Sequence, residues 1–155
     1  MPTEIVVALE ECRLASQGST LLARHLGSSW AVIIHHPERQ VGALTRFSSQ
    51  PDRAIHDALW TARPLAGSPR GWCAYTIGGS AAPGDEHTAQ LARSQQLAIQ
   101  ASLWREGILL KGEDCGGDRA RMVYFDPAAG RLIVRSAEVI APRALQMSVP
   151  CPLAS

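Results

Sequence analysis

Hydrophobic and polar positions near the start of the chain alternate in a pattern that predicts a β-hairpin. Trp30–Ile34 is a short apolar run rich in β-branched residues, Pro37–Gln40 is a polar turn, and Val41–Arg46 is a second apolar run. If the four turn residues form the loop, the register places Ala31 opposite Arg46. The pattern therefore predicts two antiparallel strands with a defined pairing.

This register brings a hydroxyl close to a fixed positive charge. Side chains alternate between the two faces of a strand, so Ser29 shares the face of Ala31 and lies diagonal to Arg46. We expect both side chains at the mouth of a cleft. His35 and His36 point to opposite faces because they are adjacent, and an exposed turn is the expected setting for this histidine pair.

Two stretches have helical periodicity. Ser48–Pro51 is a helix-start signal, with a serine as the candidate cap, and it precedes an amphipathic helix predicted over Asp52–Arg63. Pro64 and the stretch Gly67–Gly71 are expected to end this helix. A second helix is predicted over Gln90–Arg105, with Gly107 as its stop. Its predicted core-facing arc consists of Leu91, Leu97, Ala98, Ala101 and Trp104.

The remaining apolar runs predict further strands and complete an α/β fold. These strands are Glu4–Glu10, Arg13–Ala15, Trp72–Ile77, Ile108–Leu110, Met122–Phe125 and Leu132–Val134. Helices and strands together indicate a layered α/β/α sandwich with mixed, largely antiparallel sheets. We expect a single domain over residues 1–155, in which 136–155 is a mostly irregular, proline-containing tail.

Composition narrows the function classes. The net charge is +1 and aromatic residues make up 5% of the chain, which argues against a nucleic-acid partner. Neither a signal peptide nor an apolar run of membrane-spanning length is visible, so we expect a cytoplasmic protein without membrane insertion. Cys12, Cys73, Cys115 and Cys151 are widely spaced, which predicts reduced thiols and neither a metal nor another cofactor.

Two glycine-containing turns are candidates for a binding surface. Gly27 and Ser28 precede the hairpin, and Gly78, Gly79 and Ser80 follow a predicted strand. Glycine at such turns lets the backbone of a partner approach closely. The second turn lacks the lysine and spacing of a P-loop and the glycine spacing of a dinucleotide-binding fold.

The order of these segments resembles the CheD family, the chemoreceptor glutamine deamidases of bacterial chemotaxis. The strongest match runs from Gly107 to Arg121 and includes Asp114, two glycines and an Arg-x-Arg-like run. The resemblance covers Leu22 to Arg135. Its other elements are Leu26-Gly27-Ser28-Ser29, Val41-Gly42-Ala43-Leu44, Ile77-Gly78-Gly79-Ser80-Ala81 and Ala92-Arg93.

The departures from the family pattern fall on its catalytic positions. The resemblance implies a Cys nucleophile where this chain has Ser29 and a His base where it has Arg46. The family Thr falls on Ala23 without a gap, or on Thr20 if the loop is longer, and the family Asn is Ser94. Serine needs a neighbouring base and arginine keeps its proton, so the family chemistry is not expected here.

Three functions remain open from the sequence. The first is a deamidase-inactive CheD-like protein that binds a chemoreceptor segment or a CheC-type phosphatase, partners that the resemblance implies. The second is an active protein-glutamine deamidase or other amidohydrolase with a rearranged nucleophile, Ser29 or Cys115. The third is a structural domain without a link to chemotaxis.

Overall fold

A computed structural model describes residues 3–67 and 70–140, which contain nine strands and two helices. In chain order they are β1 (Thr3–Val6), β2 (Glu11–Ala15), β3 (Ser19–Leu26), β4 (Trp30–His36), β5 (Val41–Phe47), α1 (Pro51–Ala66), β6 (Cys73–Gly78), α2 (Glu86–Arg105), β7 (Leu109–Cys115), β8 (Arg119–Asp126) and β9 (Arg131–Val139). The mixed α/β class expected from the sequence is confirmed.

The strands form two sheets packed face to face. One has the order β1-β3-β8-β9 and the other the order β2-β5-β4-β6-β7, and most neighbours pair antiparallel, as expected. The pairs β1–β3 and β6–β7 are parallel. One face of the second sheet packs against the first sheet around Ile33, Leu44 and Phe125. Both helices cover its other face, so the layer order is helix, sheet, sheet rather than the expected α/β/α.

The predicted hairpin has the predicted register. β4 pairs antiparallel with β5, with His36 opposite Val41 and Ala31 opposite Arg46. β4 is a central strand, because β6 pairs with its other edge. The turn count alone was therefore sufficient to align the two strands.

Helix α1 departs from the prediction at both ends. Its N-cap is Gln50, in a left-handed conformation without a capping side chain, and not a serine. Pro64 does not end the helix, which continues to Ala66 and stops at the left-handed Gly67, the first residue of the expected glycine-containing stop. Pro64 lies in the last turn on the exposed side, where water can satisfy the carbonyl that loses its N–H donor.

Helix α2 begins earlier than predicted and buries a different face. It starts at Glu86, capped by Asp85, whose carboxylate accepts from the Thr88 N–H at 3.1 Å. The expected core-facing arc is on the surface, since Leu97 is 67% and Trp104 84% exposed. The buried face consists of Ala92, Ile99, Ser102 and Leu103. Its small residues allow the helix to pack closely against the sheet and α1.

Two further expectations are corrected. His35 and His36 are buried rather than exposed: His35 Nε2 lies 3.0 Å from the Pro127 carbonyl, and His36 Nε2 lies 2.9 Å from the Arg70 carbonyl. The irregular tail was expected from residue 136, but β9 extends to Val139. The rest of that tail, 141–155, and Cys151 within it lie outside the described residues.

No helix within the described ranges is long and apolar enough to cross a membrane.

Candidate functional site

A cavity of about 480 Å³ opens where the ends of β3, β4 and β5 meet the start of α2. We call it the Ser29 cavity. Five residues singled out from the sequence line it, namely Gly27, Ser28, Ser29, Arg46 and Ser80. Further lining residues are Leu9, His25, Ser48, Ala81, Ala82, Asp85, Thr88 and Ile140. Ser29 and Arg46 thus line the same cavity.

Gly78 and Gly79 lie behind the cavity wall instead of lining it. The Gly79 N–H donates to the Ser29 carbonyl and the Ser80 N–H to the Gly27 carbonyl, both at 3.0 Å. A Cβ atom at Gly78 would stand 2.3 Å from the Ser29 carbonyl oxygen, and Gly78 has a φ of 124°. Glycine is required here because the two turns are joined through their backbones.

A buried arginine fixes this wall from the opposite sheet. Arg121 is 8% exposed; its guanidinium donates to Ser80 Oγ at 2.7 Å and to Asp114 Oδ1 at 3.1 Å. Ser80 Oγ in turn contacts the Arg119 carbonyl at 2.8 Å. The Asp and Arg of the family-like segment therefore act on the cavity through Ser80, without lining it.

Arg46 is held by the protein's own backbone. Its guanidinium donates to the Val7 carbonyl at 3.4 Å and to the His25 carbonyl at 3.1 Å. These contacts tie the end of β5 to the segments that follow β1 and that end β3. Burial lowers the pKa of the Arg46 guanidinium from its ordinary value, but an arginine stays protonated at neutral pH and cannot act as a base.

His25 is a lining residue that the sequence reasoning did not select. The pairing of β3 with β8 shifts register between Ala23 and Leu26, and His25 has a φ of 56°. This conformation interrupts the regular strand alternation at His25, which is among the residues that line the cavity. Histidine is enriched among non-glycine residues with positive φ, but the sequence Arg24-His25 alone contains no turn signal.

The two candidates for the family threonine are both buried in strand β3. Ala23 is 0% exposed and packs in the core between the two sheets. Thr20 is 1% exposed, and its hydroxyl is unpartnered. Neither is among the described residues that line the Ser29 cavity.

Cys115 is poorly suited to be a nucleophile. Its thiol donates to the Thr76 carbonyl at 3.4 Å, and it packs against the core beneath the helices. Burial, followed by the charge of Glu113, raises the pKa of this thiol to about 12. Little thiolate is therefore present at neutral pH.

Gln95 on α2 connects the cavity to the helical layer. Its side-chain oxygen accepts from the Trp30 indole N–H at 2.9 Å, and its nitrogen donates to the Ser48 carbonyl at 2.8 Å. Trp30 follows Ser29 directly and is fully buried. The strand end that carries Ser29 and the cavity residue Ser48 are therefore fixed to one glutamine.

Comparisons with known proteins give matches over most of the chain. A family model described as CheD chemotactic sensory transduction matches residues 52–136, more than half of the chain. The chain is 27% identical over 147 residues to a probable chemoreceptor glutamine deamidase CheD of Solibacter usitatus, covering 83% of this chain and 86% of that protein. A protein of the same description from Archaeoglobus fulgidus is 29% identical over 150 residues, covering 87% and 94%. Another from Desulforamulus reducens is 25% identical over 150 residues, covering 86% and 90%.

Proposed function

The chain belongs to the CheD family, and on that premise we propose that it is a cytoplasmic chemotaxis protein that binds a chemoreceptor segment in the Ser29 cavity without deamidating it. One observation carries the proposal. Arg46, at the position where the resemblance implies a catalytic His, donates its guanidinium to the Val7 and His25 carbonyls. The residue is committed to holding the cavity together.

Deamidation requires more than a suitable pocket. A nucleophile must attack the amide carbon, a base must take its proton and later deliver one to ammonia, and donors must stabilise the oxyanion. Ser29 has no appreciable ionisation near pH 7 and depends on such a base. Arg46 cannot take a proton. A nucleophile and its base act as a unit, so the loss of either one removes most of the rate.

Binding requires only a cavity of suitable volume and polarity, and the Ser29 cavity supports it in both respects. Its volume of about 480 Å³ lies in the range of pockets that hold a small ligand or one peptide side chain with its flanking backbone. Its lining combines hydroxyl groups, among them Ser28 and Ser29, with apolar residues such as Ala81. The named relatives are probable chemoreceptor glutamine deamidases, which supports a receptor segment as the ligand. A CheC-type phosphatase is the second partner that the resemblance supports.

The alternative is an active amidohydrolase that uses Ser29. Of the two rearranged nucleophiles considered, Ser29 lines the cavity, whereas Cys115 packs beneath the helices with a pKa of about 12. The observation therefore favours Ser29 over Cys115 for any hydrolytic step.

Ammonia release separates binding from hydrolysis. The purified protein is incubated with a soluble cytoplasmic chemoreceptor fragment, binding is measured by calorimetry, and ammonia by a coupled enzymatic assay. We expect binding with no ammonia above the buffer rate. Ammonia release that is abolished in Ser29→Ala, but not in the control Ser16→Ala on an exposed turn, would establish the hydrolytic alternative. Absence of binding would refute the proposed function.

A further inference from the structure

His25 is held in the Ser29 cavity in a conformation that histidine rarely adopts. It is an exposed residue, its φ is 56°, and it lies where β3 loses its regular pairing with β8. A left-handed conformation is unfavourable for a non-glycine residue, because its Cβ comes too close to the following carbonyl oxygen. Such a conformation persists only where neighbouring contacts enforce it.

Arg46 supplies the first of these contacts. Its guanidinium donates to the carbonyl of His25 itself at 3.1 Å, and thereby fixes the backbone that carries the imidazole. A second strained residue holds Arg46 in place: Glu10 has a φ of 64°, and its N–H donates to the Arg46 carbonyl at 2.8 Å. The Glu10 carboxylate also accepts from the N–H and the hydroxyl of Ser48, each at 3.0 Å. Two left-handed residues, His25 and Glu10, are thus joined through Arg46 by hydrogen bonds beside the cavity.

We propose that His25 is the residue by which the Ser29 cavity selects a carboxamide side chain over a carboxylate, and that Arg46 is its positioning residue; this inference rests on the proposed function. A neutral imidazole has one N–H donor and one acceptor nitrogen. A carboxamide offers both an N–H donor and a carbonyl acceptor, whereas an ionised carboxylate only accepts. The acceptor nitrogen of His25 therefore finds a partner in glutamine but not in glutamate.

The other polar groups of the cavity are compatible with the same ligand. The hydroxyls of Ser28 and Ser29 can donate or accept, as a carboxamide requires. Asp85 is the acidic residue among the described lining residues, and its two carboxylate oxygens accept from Thr88. Asp85 would repel a carboxylate ligand, and the guanidinium of Arg46, which donates to the Val7 and His25 carbonyls, would attract one. The charges of these two lining residues offset each other, so they give no net preference for an anion over a neutral polar group.

Binding selectivity tests the inference. The ligands are soluble chemoreceptor fragments that carry Gln, Glu or Ala at one target position, titrated by calorimetry at pH 8. We expect the wild-type protein to bind the Gln fragment roughly tenfold more tightly than the Glu fragment, about the contribution of one hydrogen bond. In His25→Gly, which suits the left-handed backbone and removes only the ring, the Gln and Glu fragments should bind equally.

Three further variants separate recognition from structure. His25→Asn tolerates the same backbone conformation and has both a donor and an acceptor, so it should retain part of the selectivity. Arg46→Lys keeps the positive charge but loses the paired donors of the guanidinium. It should lower the selectivity for Gln over Glu several-fold, because the backbone of His25 is no longer fixed. Gln40→Gly is the matched control, since Gln40 is also left-handed with a φ of 57° but is not among the described cavity-lining residues.

The outcomes distinguish a failure of the role of His25 from a failure of the proposed function. If the Gln fragment binds wild-type protein but His25→Gly keeps the same Gln-to-Glu ratio, His25 does not select the ligand and the inference is refuted, while the proposed function stands. If none of the fragments binds wild-type protein, the proposed function is refuted together with the inference. A selectivity that disappears in His25→Gly and persists in Gln40→Gly supports it.

Discussion

Replacing Arg46 by alanine should destabilise the protein markedly, because the guanidinium joins three segments. The change removes hydrogen bonds to the Val7 and His25 carbonyls. A hydrogen bond from a charged donor contributes about 1.5–3 kcal/mol. The bond to Val7 is long, at 3.4 Å, but Val7 is fully buried and its carbonyl loses this donor. We therefore expect a loss of about 2–4 kcal/mol in the free energy of unfolding.

Urea denaturation followed by tryptophan fluorescence measures this loss. With a slope of about 2 kcal/mol/M, in the middle of the usual range for urea, the midpoint should fall by roughly 1–2 M. Arg53→Ala is the control, since Arg53 is exposed and pairs only with Asp57 one helical turn away, which is worth less than about 0.5 kcal/mol. If Arg46→Ala shifts the midpoint no more than Arg53→Ala does, the guanidinium does not hold the three segments together.

The same contacts predict the outcome of restoring the family's catalytic pair. In the double variant Ser29→Cys with Arg46→His, a neutral imidazole has a single N–H, so at least one of the two carbonyls loses its donor. We expect partial recovery of glutamine deamidation at best, measured as ammonia release, with a lowered unfolding midpoint. Ammonia release at the rate of an active family member would show that the pocket geometry does not depend on Arg46.

Three further predictions follow from single residues. Gly78→Ala should fail to fold or lose several kcal/mol in the free energy of unfolding, because its Cβ would stand 2.3 Å from the Ser29 carbonyl oxygen. The control Gly84→Ala, where the added Cβ meets open space, should cost about 1 kcal/mol, and thermal melting distinguishes the two variants. Cys115, with a pKa of about 12, should resist iodoacetamide at pH 8 in the folded protein and react after denaturation, as mass spectrometry will show. Burial lowers the pKa of His35 below 6.5, so the unfolded state binds this proton first and stability should fall as the pH drops below 6.5. His35→Gln should flatten the dependence of stability on pH in this range. An unchanged dependence would show that His35 is not its source.

The hairpin and the cavity could be predicted from the sequence because both depend on local rules. A four-residue turn fixes the register of Val41–Phe47 against Trp30–His36, and strand alternation then places Arg46 beside the segment that carries Ser29. Glycine turns after predicted strands located the opposite wall, although Ser80 rather than Gly78 faces the cavity. These inferences required no knowledge of distant contacts.

What could not be predicted depends on tertiary packing. Helix α2 has two apolar arcs, one through Leu97 and Trp104 and one through Ile99 and Leu103, and periodicity does not indicate which arc meets the sheet. Likewise, no signal in the sequence around His25 indicates a left-handed residue. Its conformation depends on an interruption of the pairing with β8, a strand from the other end of the chain.

The pairing of β3 with β8 determines when the cavity can form during synthesis. Leu21 lies opposite Phe125, about 100 residues later in the chain. At about 5–20 residues per second, a ribosome needs roughly 5–20 s to make that interval. Throughout this delay the apolar side chains of Leu21 and Leu26 lack the strand that covers them in the native state. The hairpin that carries Ser29 and Arg46 can close early, but the pocket around it is completed only after β8 has been made.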